Sequence, residues 1–170
     1  MSRRTAVLVG NPRAGSRTLA AALHLHRALV DDEPSLVVDL AEVGPGLLDW
    51  NDERVAELVA GIAASDLVVV ASPTYKATYT GLLKLVLDRF GVGELAGVAV
   101  PLMLGGGPGH TLAPEQGLVA LLHHLGAIVP TGGIYVVERQ HDDPAAYAPF
   151  VERTRPVVDR LLAAGVRATA

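Results

Sequence analysis

The fold of this chain follows from one stretch, Leu67-Val-Val-Val-Ala-Ser-Pro-Thr-Tyr-Lys76, which continues as Tyr79-Thr-Gly-Leu-Leu-Lys84. Its apolar, β-branched beginning is too short to favour a helix and predicts a strand that is buried on both faces. Pro73 cannot donate to a strand ladder, so the strand should end there, before a short polar loop and an apolar helix over residues 81–90. Open α/β sheets bind ligands at the carboxyl ends of their strands, so this loop is a candidate site.

The segments on either side of this stretch alternate between strand and helix patterns. Further strands are predicted at Thr5–Val9, 36–40, 98–104 and Ile134–Val137. Helices are predicted from the first loop to about residue 31 and over residues 52–64, 112–125 and 143–164, with Pro156 as a candidate break and residues 42–49 as a loop. This alternation predicts a parallel sheet covered by helices on both faces. Right-handed crossovers favour the flavodoxin-like strand order 2-1-3-4-5, in a single domain over residues 1–170.

The composition argues against several classes of protein. Half of the 170 residues are hydrophobic and 19% are charged, which argues against disorder. A net charge of −4 without a basic stripe argues against nucleic-acid binding, and the absence of cysteine excludes thiol catalysis and thiolate metal sites. The first apolar run is too short for a signal peptide, and no run reaches transmembrane length. We therefore expect a cytoplasmic protein that does not enter a membrane.

Three loops follow the predicted first, third and fourth strands, which are neighbours in this order and should meet at one site. The first loop, residues 10–18, offers backbone N–H groups at a helix start, the hydroxyls of Ser16 and Thr18, and the guanidinium groups of Arg13 and Arg17. These groups suit a phosphate. The glycine spacing resembles the start of a P-loop, but Ser16 and Arg17 stand where that motif needs lysine and then serine or threonine. An ordinary turn with Ser16 as the helix N-cap is the alternative.

The second loop supplies Thr74, Tyr75 and Lys76. An aromatic ring beside backbone amides suits a flat heterocycle, which requires stacking on its face and hydrogen bonds along its edge. A solvent-facing turn in which Tyr75 packs on the last helix is the alternative.

The third loop contains three consecutive glycines, at 105–107, and ends at His110. Each glycine costs backbone entropy, so a bare main chain must be needed there, either for the approach of a planar ligand or for a strained turn. His110 is a candidate to lie over such a ligand, with capping or solvation as the alternative. His24, His26, His123 and His124 are interpreted as solvated, and no group of residues has metal-ligand spacing, so no metal is predicted.

The residues of these loops resemble a known family. The loop Asn11-Pro-Arg13 with Ser16 and Arg17, the segment 72–84 with Asp88, and the glycine loop are similar to the NADPH-dependent FMN reductases. Among these, the chain most resembles the flavin reductases that supply reduced flavin to alkanesulfonate monooxygenases. The resemblance covers nearly the whole chain, and the segment 72–84 is its most specific part.

The resemblance implies a hydride transfer from NADPH or NADH to FMN, a possible flavin-dependent monooxygenase partner, and a homodimer or homotetramer. No acid or base is needed for the hydride step, because the protein's task is positioning. The implied flavin-binding residues are Asn11, Arg13, Ser16, Arg17 and Thr18 for the phosphate end, and Pro73, Thr74, Tyr75, Lys76, Gly105, Gly106, Gly107 and His110 for the isoalloxazine.

Two other activities stay open at this point. One is an FMN-containing reductase that passes the hydride to a quinone or azo compound. The other is an electron-transfer flavodoxin, which usually has a strongly acidic face and aromatic rings beside the flavin. The chain has few aromatic residues, and its one tryptophan, Trp50, lies after the second strand, so the carrier is the weaker alternative.

Gln116 marks a departure from the family pattern, because the sulfonate-associated reductases carry an inserted tyrosine there. We therefore expect a regular helix over residues 112–125 and FMN that is retained between turnovers. A second expectation concerns the helix over residues 81–90, which should be an oligomer interface because a helix that is apolar all round is buried on more than one face. Its apolar residues are Leu82, Leu83, Leu85, Val86, Leu87 and Phe90.

Overall fold

A computed structural model describes residues 3–166, which form a five-stranded parallel sheet in the order β2-β1-β3-β4-β5. The predicted flavodoxin-like order is therefore confirmed. The strands are β1 (Thr5–Val9), β2 (Leu36–Asp39), β3 (Leu67–Pro73), β4 (Val98–Gly105) and β5 (Ile134–Val137). None of the helices within residues 3–166 combines the length and the apolar character that a membrane crossing requires.

The central strands are buried along their whole length, as their apolar runs predict. Alternate side chains of these strands enter two separate cores, one on each face of the sheet. On β3, Val68 and Val70 face one core, and Val69 and Ala71 face the other. This burial makes β3 the centre of the molecule and fixes where its carboxyl end emerges.

Within residues 3–166, six α-helices complete the layers. They are α1 (Arg17–Val30), α2 (Leu40–Val43), α3 (Glu53–Ala63), α4 (Gly81–Leu87), α5 (Ala120–His124) and α6 (Ala148–Ala164). Helices α1 and α6 cover one face of the sheet, and α3, α4 and α5 cover the other. Ser16, Asp52 and Thr80 are the N-caps of α1, α3 and α4, and each side chain accepts a hydrogen bond from a backbone N–H of the first turn.

Several predicted boundaries were wrong. Residues 42–49 are not an irregular loop. The Asp39 carboxylate at the end of β2 caps α2, and a 3₁₀ helix over Gly44–Leu48, with a proline in its first turn, follows α2. Helix α4 ends at Leu87, three residues earlier than expected. Pro156 does not break α6, since it lies on the exposed side of the helix, where water can reach the carbonyl group that it leaves unpaired.

The prediction of a regular helix over residues 112–125 was also wrong. Residues Pro114–Val119 form a π-helix, which continues into α5. The first turn is held by Glu115, whose carboxylate accepts a hydrogen bond from Gly133 N–H at 2.7 Å, while Leu118 is fully buried in the core. The reasoning that linked Gln116 to a regular helix and to retained FMN therefore does not hold.

His26 does not lie in solvent as the sequence interpretation expected. Its side chain is fully buried, and neither ring nitrogen has a hydrogen-bond partner of ordinary geometry within residues 3–166. Burial lowers the pKa of His26, although the backbone of Asp32 and the carboxylates of Glu33 and Asp32 oppose this shift. His24 is half-buried, and its ring centroid lies 4.5 Å from that of Tyr147.

Candidate active site

A cavity of about 210 Å³ lies at the carboxyl edge of the sheet, where the loops after β1, β3 and β4 meet. The predicted convergence of these three loops is therefore seen in the structure. A larger groove of about 480 Å³ runs along α3 and contains no residue of these loops. The cavity at the sheet edge is lined by Asn11, Thr18, Pro73, Thr74, Tyr75, Leu104, Gly105, Gly106 and Glu138.

The loop after β1 is fixed by its own side chains. The Asn11 side chain donates to Thr18 Oγ1 at 2.9 Å and accepts from Arg13 N–H at 2.9 Å, while Gly15 N–H donates to the Asp39 carboxylate at 3.0 Å. Asn11 is buried and therefore holds the loop in shape. The first two N–H groups of α1 have no partner within residues 3–166, so they can serve an anion.

A buried network joins this first loop to the loop after β3. Thr80 Oγ1 donates to the carbonyl of Gly10 at 2.5 Å and accepts from Leu83 N–H at 3.1 Å. Thr80 N–H donates to Ser72 Oγ at 3.0 Å. Neither Thr80 nor Ser72 was predicted to support the site. The N-cap pattern of a threonine before Gly81 was the available signal.

The loop after β3 contains a strained turn. Tyr75 and Thr78 exchange two backbone hydrogen bonds, of 2.9 and 3.2 Å, around Lys76 and Ala77. Lys76 has a φ of 52° and Ala77 a φ of 66°, as in a type I′ turn, which normally takes asparagine or glycine at these positions. Non-glycine residues with positive φ cost energy and are concentrated at functional sites. The turn projects at the mouth of the cavity, with Tyr75 53% exposed.

Thr74 lines the cavity and has a polar atom without a partner. Its hydroxyl oxygen is buried, and no hydrogen-bond partner for it is found in the described part of the chain. Its backbone is fixed, because Thr74 N–H donates to the carbonyl of Leu104 at 2.6 Å. A buried hydroxyl without a partner is costly unless a ligand or water satisfies it.

The three glycines of the third loop have different reasons to be glycine. A Cβ on Gly105 would lie 2.0 Å from the Tyr135 hydroxyl oxygen, so a neighbouring side chain explains this glycine. Tyr135 donates to the carbonyl of Gly107 at 2.6 Å, and burial raises the pKa of Tyr135, so the hydroxyl stays a donor. A Cβ on Gly106 or Gly107 would meet nothing within 4 Å, which leaves open space beside the main chain.

Not all of the predicted site residues line the cavity. His110 is exposed and lies in a separate cavity of about 160 Å³, together with Ala77 and Gln116. The remaining predicted residues are in the same three loops but outside the lining: Arg13, Ser16, Arg17, Lys76 and Gly107. Ser16 is buried as the N-cap of α1, as one of its alternatives predicted, and its hydroxyl accepts from Leu19 N–H at 3.3 Å.

Glu138 is a site residue that the sequence analysis missed. It directly follows β5, lines the cavity, and its carboxylate lies 3.5 Å from the Arg17 guanidinium. Both side chains are about half exposed. The strand order was the available signal, because β5 borders β4 and its carboxyl end therefore opens toward the same edge. Among residues 3–166, no three histidine, aspartate or glutamate side chains gather as metal ligands would.

Fold and site together define an α/β protein with a cavity at the carboxyl edge of its sheet, beside a helix start whose first N–H groups have no partner within residues 3–166. Residues 3–142 match the family of NADPH-dependent FMN reductases, and the chain belongs to this family. The resemblance noted from the sequence is thereby confirmed.

Individual relatives agree with this membership. The chain is 31% identical over 156 residues to an FMN reductase (NADPH) of Pseudomonas aeruginosa, covering 85% of this chain and 83% of the relative. It is 30% identical over 171 residues to the NADH-dependent FMN reductase SfnF of Pseudomonas putida, covering 94% of this chain and 91% of the relative. Among solved structures, it matches the apo form of the NADH:FMN oxidoreductase EMOB with a TM-score of 0.81 at 27% identity, covering 94% of this chain and 88% of the solved chain.

Proposed function

We propose that this protein binds FMN in the cavity at the sheet edge and reduces it with NADPH or NADH. The observation that carries the proposal is the meeting of a helix start with free N–H groups, a threonine with an unpartnered hydroxyl and the open glycine Gly106 around one space. When bound, FMN supplies the hydride acceptor. The phosphate, the ring edge and the ring face of FMN require different binding partners, and different loops are proposed to supply them.

The loop after β1 is proposed to hold the phosphate. The free N–H groups at the start of α1 and the positive end of the helix dipole attract an anion. Arg17 adds a guanidinium beside these amides, and the hydroxyls of Ser16 and Thr18 can still donate because each only accepts in the bonds described. Arg13 is exposed in the same loop and adds positive charge. Asn11 acts indirectly, by holding Thr18 in place.

The other two loops are proposed to hold the isoalloxazine. The unpartnered Thr74 hydroxyl suits a polar group on the edge of the ring, and the Tyr75 ring can cover the mouth of the cavity. Gly106 and Gly107 leave the main chain bare for a planar group. Hydride transfer requires the donor and acceptor to be held close and aligned, and no proton donor is needed for that step. The cavity lining contains only two titratable side chains, Tyr75 and Glu138, within the described residues.

Comparing FMN with riboflavin tests the assignment of the first loop. Replacing Arg17 with alanine should weaken FMN binding by about 1.5–3 kcal/mol, the usual contribution of a hydrogen bond to a charged group, and leave riboflavin binding almost unchanged. Thr74→Val is the matched change at the isoalloxazine end of the site. It should weaken the binding of FMN and of riboflavin to the same extent. If Arg17→Ala weakened both flavins equally, the loop would be structural and would not bind phosphate.

We further propose that the protein is a homodimer or homotetramer that uses α4 at an interface. Leu83, Val86 and Leu87 fill the core, whereas Leu82 and Leu85 remain partly exposed on the same helix. Lys84 and Asp88 form an ion pair at 2.5 Å on its polar side. Light scattering at micromolar concentration should give an oligomer, and Leu85→Glu should shift it to a monomer. A monomeric wild-type protein would contradict this interface.

Reduced FMN that leaves the site would be the product used by a flavin-dependent monooxygenase, which is the proposed partner. We propose a cytoplasmic location, where NADPH and NADH are available. Adding the purified protein to a two-component monooxygenase that has lost its own reductase should restore oxygenation. A protein that turns over FMN but fails in this assay would have another acceptor.

A further inference from the structure

We propose that Glu138 sets the affinity for FMN by competing with its phosphate for Arg17, so that FMN exchanges as a substrate. This inference rests on the proposed function and deepens it. It concerns a residue that neither the sequence motifs nor the phosphate-binding loop include. The consequence is a site that binds the flavin loosely enough to release it after reduction.

The first observation is that Glu138 lies beside Arg17 at the cavity. It opens the short 3₁₀ turn Glu138–Gln140 directly after β5, and it is the one acidic residue in the cavity lining within the described part of the chain. Its carboxylate oxygen lies 3.5 Å from Nη1 of Arg17, at the first helical position of α1. The cation best placed for a phosphate is therefore already paired with a carboxylate of the protein.

The second observation concerns the charges around the loop after β1. A phosphate placed at the start of α1 must either take Arg17 from Glu138 or share it with a nearby carboxylate of the same sign. The side chains of Arg17 and Glu138 are 61% and 49% exposed, so the pair is weak enough to open, and its main effect is to occupy the guanidinium that the phosphate needs. Asp39 adds a second negative group, which accepts a hydrogen bond from Gly15 N–H in the same loop. Riboflavin has no phosphate and would not sense this competition.

Release of the reduced flavin follows from the same competition. When FMN leaves, Arg17 can return to Glu138, so the empty site is not left with an unpaired cation. The pair thereby stabilises the ligand-free state relative to the bound state, which raises the dissociation constant. A reductase that hands its product to a separate enzyme requires such an exchange.

The test is the substitution Glu138→Gln, which keeps the size of the side chain and removes its charge. We expect this variant to bind FMN about three- to tenfold more tightly and to release it correspondingly more slowly, a change that fits the opening of one exposed ion pair and the removal of one repulsion. Riboflavin affinity should change less than about twofold. Glu57→Gln, on the exposed face of α3 away from the cavity, is the control for net charge and should bind both flavins as the wild type does.

A double-mutant cycle makes the test specific. In an Arg17→Ala background, Glu138→Gln should lose most of its effect on FMN, because the competition for the guanidinium is gone. Equal FMN affinity of Glu138→Gln and wild type, or an equal gain for riboflavin, would overturn the role of Glu138 and leave the proposed function standing. A wild-type protein that binds no FMN at all would instead overturn both.

Discussion

Replacing Gly10 with alanine should destabilise the protein strongly, because Gly10 packs against α4 without room for a side chain. A Cβ at Gly10 would lie 2.4 Å from Leu83 Cβ and 3.0 Å from Leu83 Cα. Real Cβ atoms do not approach a neighbour so closely, and Leu83 is fully buried, so the atoms cannot part unless α4 moves. The movement would also stretch the 2.5 Å hydrogen bond from Thr80 to the Gly10 carbonyl.

The expected loss is about 2–4 kcal/mol in the free energy of unfolding. Overpacking of a core typically costs about 1–3 kcal/mol, and a lost hydrogen bond adds about 1 kcal/mol. For a chain of this size each kcal/mol lowers the melting temperature by about 2–4 °C, so the melting temperature should fall by roughly 4–16 °C.

Urea unfolding followed by circular dichroism measures this loss. Gly109→Ala is the matched control, since a Cβ at Gly109 meets nothing within 4 Å and the residue has no positive φ. The control should stay within about 0.5 kcal/mol of the wild type. If Gly10→Ala were equally close to the wild type, the tight contact between the first loop and α4 would be refuted.

Three further substitutions test other features of the structure. His26→Leu should raise the stability by about 1–2 kcal/mol at about pH 7, because it removes two buried ring nitrogens that lack hydrogen-bond partners of ordinary geometry. The stability difference between His26→Leu and the wild type should increase toward about pH 5. Burial lowers the pKa of His26 below the unfolded value of 6.5, so acid favours the unfolded wild-type chain. Urea titrations in which this difference shrinks toward low pH would contradict the reasoning. Ala77→Gly should raise the stability by up to about 1 kcal/mol by relieving its positive φ, whereas Ala60→Gly inside α3 should lower it by about 1 kcal/mol. Arg89→Met should speed proteolysis of residues 44–49, because the guanidinium donates to carbonyls there at 2.6 and 2.9 Å; unchanged cleavage would refute this role.

The sequence was sufficient for the sheet and for the meeting of the three loops. The apolar runs at β1, β3 and β4 are long enough to be buried on both faces, and right-handed crossovers allow few orders for five parallel strands. Once the order is fixed, the carboxyl ends of neighbouring strands share an edge. The burial of His26 could also have been predicted, because Ala22, Leu25 and Leu29 are at helical spacing around it and are all buried.

Other features depend on contacts between residues far apart in the chain. Gly105 has no room for a side chain because Tyr135 packs against it, and Glu115 in the π-helix accepts a hydrogen bond from Gly133, 18 residues along the chain. The role of Glu138 depends on the reach of the Arg17 side chain across the edge of the sheet. Local sequence patterns do not indicate which residues far apart in the chain contact each other. They therefore predict the loops of the site but not the side chains that shape these loops.

Anaerobic stopped-flow mixing of the protein and FMN with NADPH, and separately with NADH, shows whether the protein transfers a hydride to the flavin. We predict that the nicotinamide and flavin absorbances fall with one shared rate constant. We also predict that this rate slows when the transferred hydrogen at the nicotinamide C4 is replaced by deuterium, since hydride transfer between aligned rings is the step that the site serves. A protein that binds FMN but leaves both absorbances unchanged with either nucleotide would contradict it.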